Sequence, residues 1–360
     1  MRVRLTSFLN LSEESTTMQF PKVSIIWLNY NSIRFINIAK RSLESISQIE
    51  LPVELILVDN NSTDGSFEVL VEYVKSLDMK SIKILKLRKN LGFTGGNNIG
   101  YKYADLKSKY ITLINNDCII EPESLKILID FLEKYEKVGV VQGVIYDITG
   151  DNIDNSGFIC SETLLCIPLK EIPEQPRQVT YASGAYMVIR RIAIERIGKL
   201  FDWEGFMYFD DLPLGYRMWM HGYKVMILPI TAGRHLGSAS GGIKSPETVY
   251  YMYRGLGMFI ELSNSRFRRI LKATALRSIP IRYGMRVPSL ISASLKGLLD
   301  GFKLGSIKRR RGEILDIYAA PMLKRSAITK LLEIAMPLSL IHISEPTRPL
   351  YISYAVFCLK

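Results

Sequence analysis

The sequence predicts an α/β fold in which a mostly parallel sheet is flanked by helices and followed by a basic helical extension. Three observations carry this. Short runs rich in Val, Ile and Leu alternate with helical stretches from Lys22 to Leu228, the pattern of strands joined by right-handed crossovers. Several runs end in Asn or Asp, at the carboxyl ends of strands where open α/β sheets bind ligands. The charge is also divided: seventeen Lys and Arg against five Asp and Glu lie between Tyr250 and Met336, a surplus equal to the +12 of the whole 360-residue chain.

Residues 1–17 precede Met18 and read as an upstream start or a loose arm; they lack an apolar core long enough for a signal peptide. Lys22–Tyr30 (KVSIIWLNY) is the first strand, closed by Asn29, with a helix to about Ser47. Glu54–Asp59 is the second. Asp59 at its tip is placed to accept hydrogen bonds from a nucleoside, while Asp64 or Ser62 caps the following helix. The third strand, Ile82–Leu87, opens into a Gly/Asn loop from Asn90 to Gly100 and a helix over Tyr101–Leu106. Glycines there let a backbone turn its N–H groups toward an anion, or simply form the turn before a helix. The spacing is not G-x-G-x-x-G, which disfavours a nicotinamide oxidoreductase.

Tyr110–Ile120 (YITLINNDCII) is the central stretch, an apolar strand buried on both faces that stops at Asn115, Asn116 and Asp117. Asp117 is a hard oxygen ligand of the kind a divalent cation on a diphosphate requires, or else part of an Asx turn. A helix follows from Pro122 to about Tyr135, then a fifth strand, Val138–Tyr146, and loops with short strands over 147–178. Gln178–Ile189 reads as one strand and Arg190–Ile197 as a short helix. The aromatic and acidic stretch Phe201–Asp211 (FDWEGFMYFDD) leads into a helix begun at Pro213 and stopped at Gly222. Lys224–Leu228 is the last strand, closed by Pro229, and His235 falls in a polar, flexible loop from Arg234 to Gly242.

With 48 % hydrophobic and 23 % charged residues the chain is globular, and it has no run of about eighteen uncharged apolar residues. Cys118, Cys160, Cys166 and Cys358 form no CxxC pair. Neither a zinc site nor a disulfide framework is expected, which points to a reducing, cytosolic setting.

Taken in order, VSIIWLNYNS, LILVDNNSTDGS, NLGFTGGNNIGYKYA, ITLINNDCIIEP, ASGAYMVIRR, GFMYFDDLPLGYRMWMHGYKV and RHLGS resemble family 2 glycosyltransferases of the GT-A fold, nearest to rhamnosyl- and galactofuranosyltransferase-like members. The resemblance covers residues 22 to about 260. It implies an inverting transferase that moves a sugar from a nucleotide-diphosphate donor to a glycan or lipid-linked acceptor. It implies nucleotide contacts from Asn29, Asp59, Gly92, Gly95, Asn97 and Asn115, and a Mg²⁺ or Mn²⁺ ion on Asp117 and His235. Asp211 stands at the general base and Asp210 beside it, orienting acceptor or base. Two departures matter: the metal triplet is Asn-Asn-Asp with one carboxylate, and Leu212-Pro213-Leu214-Gly215 lacks an acid often found past the Asp pair. The reduced triplet keeps a non-catalytic sugar-nucleotide-binding or scaffold protein as the alternative.

The expected organisation is an arm over 1–21, a GT-A domain over 22–249 and a basic helical extension over 250–338. That extension suits a peripheral, anionic membrane surface at the cytoplasmic side better than nucleic acid, for which no motif is present. From Ser339 the sequence SLIHISEPTRPLYISYAVFCLK resembles translated sequencing-adapter read-through, so residues 339–360 are expected to be non-native and the natural C-terminus missing.

Overall fold

The computed structural model describes residues 5–12, 23–237, 245–283, 287–326 and 329. The loop over 238–242 and the segment over 339–360 lie outside the described residues.

In chain order the elements are β1 (Leu5–Ser12), β2 (Val23–Asn29), α1 (Ile36–Ser47), β3 (Val53–Asp59), α2 (Ser66–Ser76), β4 (Ser81–Leu87), α3 (Gly92–Tyr103), β5 (Tyr110–Asn115), β6 (Cys118–Ile120) and α4 (Pro122–Lys134). Then come β7 (Val138–Asp147), β8 (Ile153–Asn155), β9 (Phe158–Cys160), β10 (Cys166–Pro168), β11 (Arg177–Gln178), β12 (Tyr186–Arg190), α5 (Arg191–Ile197), α6 (Asp211–Met220) and β13 (Lys224–His235). Helices α7 (Pro246–Leu262), α8 (Arg268–Tyr283) and α9 (Pro288–Arg310) follow.

The main sheet runs β1-β4-β3-β2-β5-β12-β7-β13-β11. Strands β4, β3, β2 and β5 are parallel neighbours. Beyond them the sheet is mixed, because β12 enters antiparallel between β5 and β7. The chain order reverses between β2 and β5, so a crevice is expected outside their carboxyl ends. Side chains alternate across β2: Ile25 and Trp27 pack with Leu43 of α1 and Leu125 of α4, while Ile26 packs on the other face with Ile99 of α3. A third apolar cluster joins Leu212 and Tyr216 of α6 to Val249 and Phe259 of α7 and Leu298 of α9. Gly297, Gly301 and Gly305 recur every fourth residue of α9, and their backbones lie against α7.

Five expectations are corrected. Residues 5–12 are not a loose arm: β1 pairs antiparallel with β4 along the sheet edge. The Gly/Asn segment is helix α3 from Gly92 onward. The strand expected over 178–189 divides into β11 and β12. The last strand does not stop at Pro229; β13 continues to His235, absorbing the missing proline N–H in a register shift between Ile227 and Thr231. Finally, Cys160 and Cys166 form a disulfide, since the β9–β10 register sets them directly opposite each other. A hairpin creates this pairing without a CxxC spacing, and the reducing setting loses its support from the cysteines.

Candidate active site

A polar line runs along the carboxyl edge of the sheet. Asn29 at the end of β2 donates from Nδ2 to Asp59 Oδ1 at the end of β3, at 2.9 Å. Asn116 Nδ2 donates to Asn29 Oδ1 at 3.1 Å, which fixes the turn that carries Asp117. Asp117 Oδ1 lies 3.1 Å from His235 Nε2, and His235 Nδ1 lies 3.3 Å from Asp154 Oδ2 in β8. The backbone enforces this meeting: His235 pairs with Cys118 in the β13–β6 ladder. Burial lowers the His235 pKa, but the flanking Asp117 and Asp154 carboxylates outweigh it and hold it up to about 10.

The second half of the site is the loop from Phe201 to Asp210. Asn98 of α3 pairs with both backbone groups of Phe201, at 3.0 and 3.1 Å. Thr94 does the same for Phe206, through its N–H at 3.1 Å and its hydroxyl at 2.9 Å. Gly92 has φ +70°, and a Cβ there would meet the Phe206 carbonyl, so only glycine lets the loop cross the start of α3. Two of the first N–H groups of α3 are spent on protein, Gly92 donating to Asn90 and Thr94 to Phe206, and Leu91 just before them donates to Asn60. The expected anion cradle is instead a clasp for the loop.

That loop delivers Asp210 and Asp211 to the start of α6. Asp211 Oδ2 accepts from Gly184 N at 2.9 Å, while Oδ1 is buried with no partner. Burial pushes the Asp211 carboxyl up to about 6, opposed by the Gly184 N–H. Burial, Asp211 and Asp202 push Asp210 well above the usual carboxylate range, opposed by Arg254. The usual carboxylate value suits a base at neutral pH; a value near 6 suits one better, because the carboxylate is still ionised but more basic.

Both halves meet in one cleft of about 410 Å³, lined by Asp154, Tyr181, Asp210, Asp211, Lys170 and His235 among others. Among the described residues, no three or more His, Cys, Asp and Glu side chains converge on one metal position. Asp117 and His235 nonetheless fit part of a cation's shell, because an oxygen and an imidazole nitrogen stand 3.1 Å apart and a diphosphate can supply further oxygens.

The comparisons with known proteins bear on this geometry. Residues 24–198 match the profile of glycosyl transferase family 2. The chain carries a family 2 glycosyltransferase domain. The poly-beta-1,6-N-acetyl-D-glucosamine synthase of Staphylococcus epidermidis is 22 % identical over 225 residues, covering 60 % of this chain and 50 % of that protein. The N-acetylglucosaminyl-diphospho-decaprenol L-rhamnosyltransferase of Mycobacterium tuberculosis is 23 % identical over 283 residues, covering 71 % of this chain and 90 % of that protein. The chain thus spans about half the length of the first of these relatives. Among solved structures, GalNAc-T7 with UDP, GalNAc and Mn²⁺ superposes with a TM-score of 0.55 at 14 % identity, over 83 % of this chain and 59 % of that one. The chain has the GT-A fold.

The structure brings His235, Asp154, Asp210 and Asp211 to one cleft, and Asp117 stands behind it against His235. Asn29 and Asp59 are fully buried and Asn97 is 2 % exposed. Asn97 Nδ2 donates to Phe93 O at 2.9 Å, and Asp59 also accepts from Ser62 N at 2.9 Å. These three hold the strand-end loops and do not line the cleft. Asn115 N donates to Ala185 O at 2.9 Å, which ties β5 to the segment carrying Gly184. Gly95 lies inside α3, where a Cβ would meet the Leu91 side chain. The cap of α2 is Gly65 and not Asp64 or Ser62; Asp64, one residue earlier, accepts from Ser66 N at 3.0 Å. Sequence reasoning missed Asp154, whose one signal is its place in the acidic and amide-rich run Asp151–Asn155, and it missed Thr94 and Asn98 as loop anchors.

Proposed function

We propose that this glycosyltransferase is a metal-dependent inverting enzyme that transfers a sugar from a nucleoside-diphosphate donor to a hydroxyl of a glycan or lipid-linked acceptor. The observation that carries the reading is the single cleft onto which Asp211 and the His235–Asp154 pair both open. Asp211 Oδ1, free of protein partners, takes the proton of the acceptor hydroxyl as that oxygen attacks the anomeric carbon. The bond to the diphosphate breaks on the opposite side, which inverts the carbon. Asp210, whose carboxyl is pushed well above the usual range by burial and by its neighbour Asp211, orients the acceptor or the base. Asp117 and His235 would hold Mg²⁺ or Mn²⁺, which neutralises charge on the departing diphosphate. Asn29, Asp59 and Asn97 act by holding the loops around the nucleotide; Gly92 and Asn115 act through the backbone.

The GT-A unit runs from 22 to 249, and the basic helices from 250 onward face a peripheral anionic membrane surface. No described helix is long and apolar enough to cross a membrane. The outer faces of α8 and α9 present Arg269, Ile270, Arg277, Leu295, Lys296 and Lys303 to solvent, and basic residues near such a surface contribute about 1 kcal/mol each. The protein is expected to sediment with phosphatidylglycerol vesicles and not with phosphatidylcholine vesicles; equal sedimentation with both would remove the membrane reading. The transfer reading is tested by nucleoside-diphosphate release from a panel of UDP-, dTDP- and GDP-sugars. Release stimulated by Mn²⁺ and lost in Asp211→Asn supports it, whereas binding without release from any donor supports a scaffold.

A further inference from the structure

We propose that the buried ion cluster around Asp202 is a clamp that holds the base-bearing loop in its working geometry, with Lys308 of α9 as the positioning residue. The inference rests on Asp211 as the base.

The loop from Phe201 to Asp210 has an unfavourable backbone. Phe206, Tyr208 and Phe209 adopt φ of 66°, 66° and 57°, a region that side chains with a Cβ avoid. Such residues persist where the surroundings over-determine them, and here the surroundings come from α6, α7 and α9. Asp202 is 6 % exposed. Its Oδ2 meets Arg217 Nη2 of α6 at 2.5 Å, and its Oδ1 meets Lys308 Nζ at 2.9 Å and Lys199 Nζ at 3.1 Å. Lys308, 5 % exposed, also reaches Glu204 Oε2 at 3.3 Å and Glu313 Oε2 at 3.5 Å. One lysine from the C-terminal helices therefore grips the loop at two carboxylates. The cluster balances Asp202, Glu204 and Glu313 against Arg217, Lys199 and Lys308, so it carries no surplus charge to offer a ligand.

Helix α7 completes the seat. Arg254 donates to the Glu204 carbonyl, and Tyr251 stacks on Phe206 with ring centres 4.1 Å apart. A Cβ on Gly255 would lie 2.9 Å from Phe209 Cβ and 3.0 Å from the Tyr208 carbonyl, so glycine makes room for the strained turn just before Asp210 and Asp211. All of these contacts come from residues beyond the 24–198 family match. The C-terminal helices thus belong to the catalytic unit, because a base displaced by about 1 Å loses on the order of 10²-fold in rate.

The test compares wild type, Lys308→Met, Lys308→Arg and Asp211→Asn. The readouts are Mn²⁺-stimulated nucleoside-diphosphate release from the nucleotide sugar that wild type turns over, and amide hydrogen exchange over residues 203–209. In Lys308→Met, kcat is expected to fall about ten- to a hundredfold, with the KM for donor unchanged and exchange over 203–209 accelerated. Lys308→Arg is expected to recover most of both. Unchanged kcat, or a kcat loss matched by a rise in donor KM, would overturn the clamp. If Asp211→Asn keeps its turnover, the base reading fails instead, and the exchange measurement still judges the clamp. Should Lys308→Met not fold, Glu204→Gln removes only the outer contact; it is expected to speed the same amides and lower kcat, and unchanged values in both would equally overturn the proposal.

Discussion

Asp211→Asn is expected to lower kcat by about 10²–10⁴-fold, the usual contribution of a positioned general base, while leaving the protein more stable at pH 7. The two effects have one cause. The folded-state pKa is near 6 against an ordinary 3.8, so the folded protein holds this proton more tightly than the unfolded chain does. The ionised carboxylate therefore costs stability. The cost is absent below about pH 3.8, grows as pH rises toward 6 and is fully present above it. A shift of this size corresponds to about 2–3 kcal/mol at neutral pH, which the neutral amide removes. Chemical denaturation of wild type and variant at pH 7 and pH 4 checks the sign: the stability gap should open at pH 7 and close at pH 4. In wild type, kcat/KM is expected to fall tenfold per pH unit below about 6. A variant that loses activity because it unfolds would show the opposite stability change.

Asp117→Asn is expected to abolish the stimulation of donor turnover by Mn²⁺. The lost stabilisation of diphosphate charge is worth several kcal/mol in metal-assisted reactions, so about 10²–10³-fold in rate. The substitution preserves shape, and Leu236 N still bonds the residue 117 carbonyl, at 2.9 Å in wild type. Donor binding in the presence of Mn²⁺ should weaken with it. A ligand that binds only the folded state raises the melting temperature by mass action, and that rise should lose its dependence on Mn²⁺. A Mn²⁺-dependent rise retained at full size in Asp117→Asn would move the cation elsewhere.

Much of this site was legible because strand ends announce themselves. Asp117 follows an apolar run at a strand end, and the Asp210–Asp211 pair follows an aromatic run and opens a helix. What was not legible depends on contacts distant in sequence. Helix α3 contains Gly92, Gly95, Gly96 and Gly100, a composition whose propensity argues for a loop. It is helical because Gly96 and Gly100 seat the backbone directly on Leu28 and Ile26 of β2. Asn29 and Asp59 looked like nucleoside ligands, but their polar atoms satisfy each other across adjacent strands. No local pattern foretells three aromatic residues with positive φ, since the loop geometry is imposed from α6, α7 and α9. Asp154 was hidden for a similar reason: β8 is three residues long, and only the extension of β13 past Pro229 brings His235 to it.

The most direct test of the central claim is the anomeric configuration of the first sugar released when the enzyme hydrolyses its nucleotide sugar without acceptor, followed by proton NMR before mutarotation. With water activated by Asp211 and attacking opposite the diphosphate, the first product should carry the configuration opposite to the donor. A first product with the donor's own configuration would mean a retaining reaction, and would contradict single displacement with Asp211 as its base.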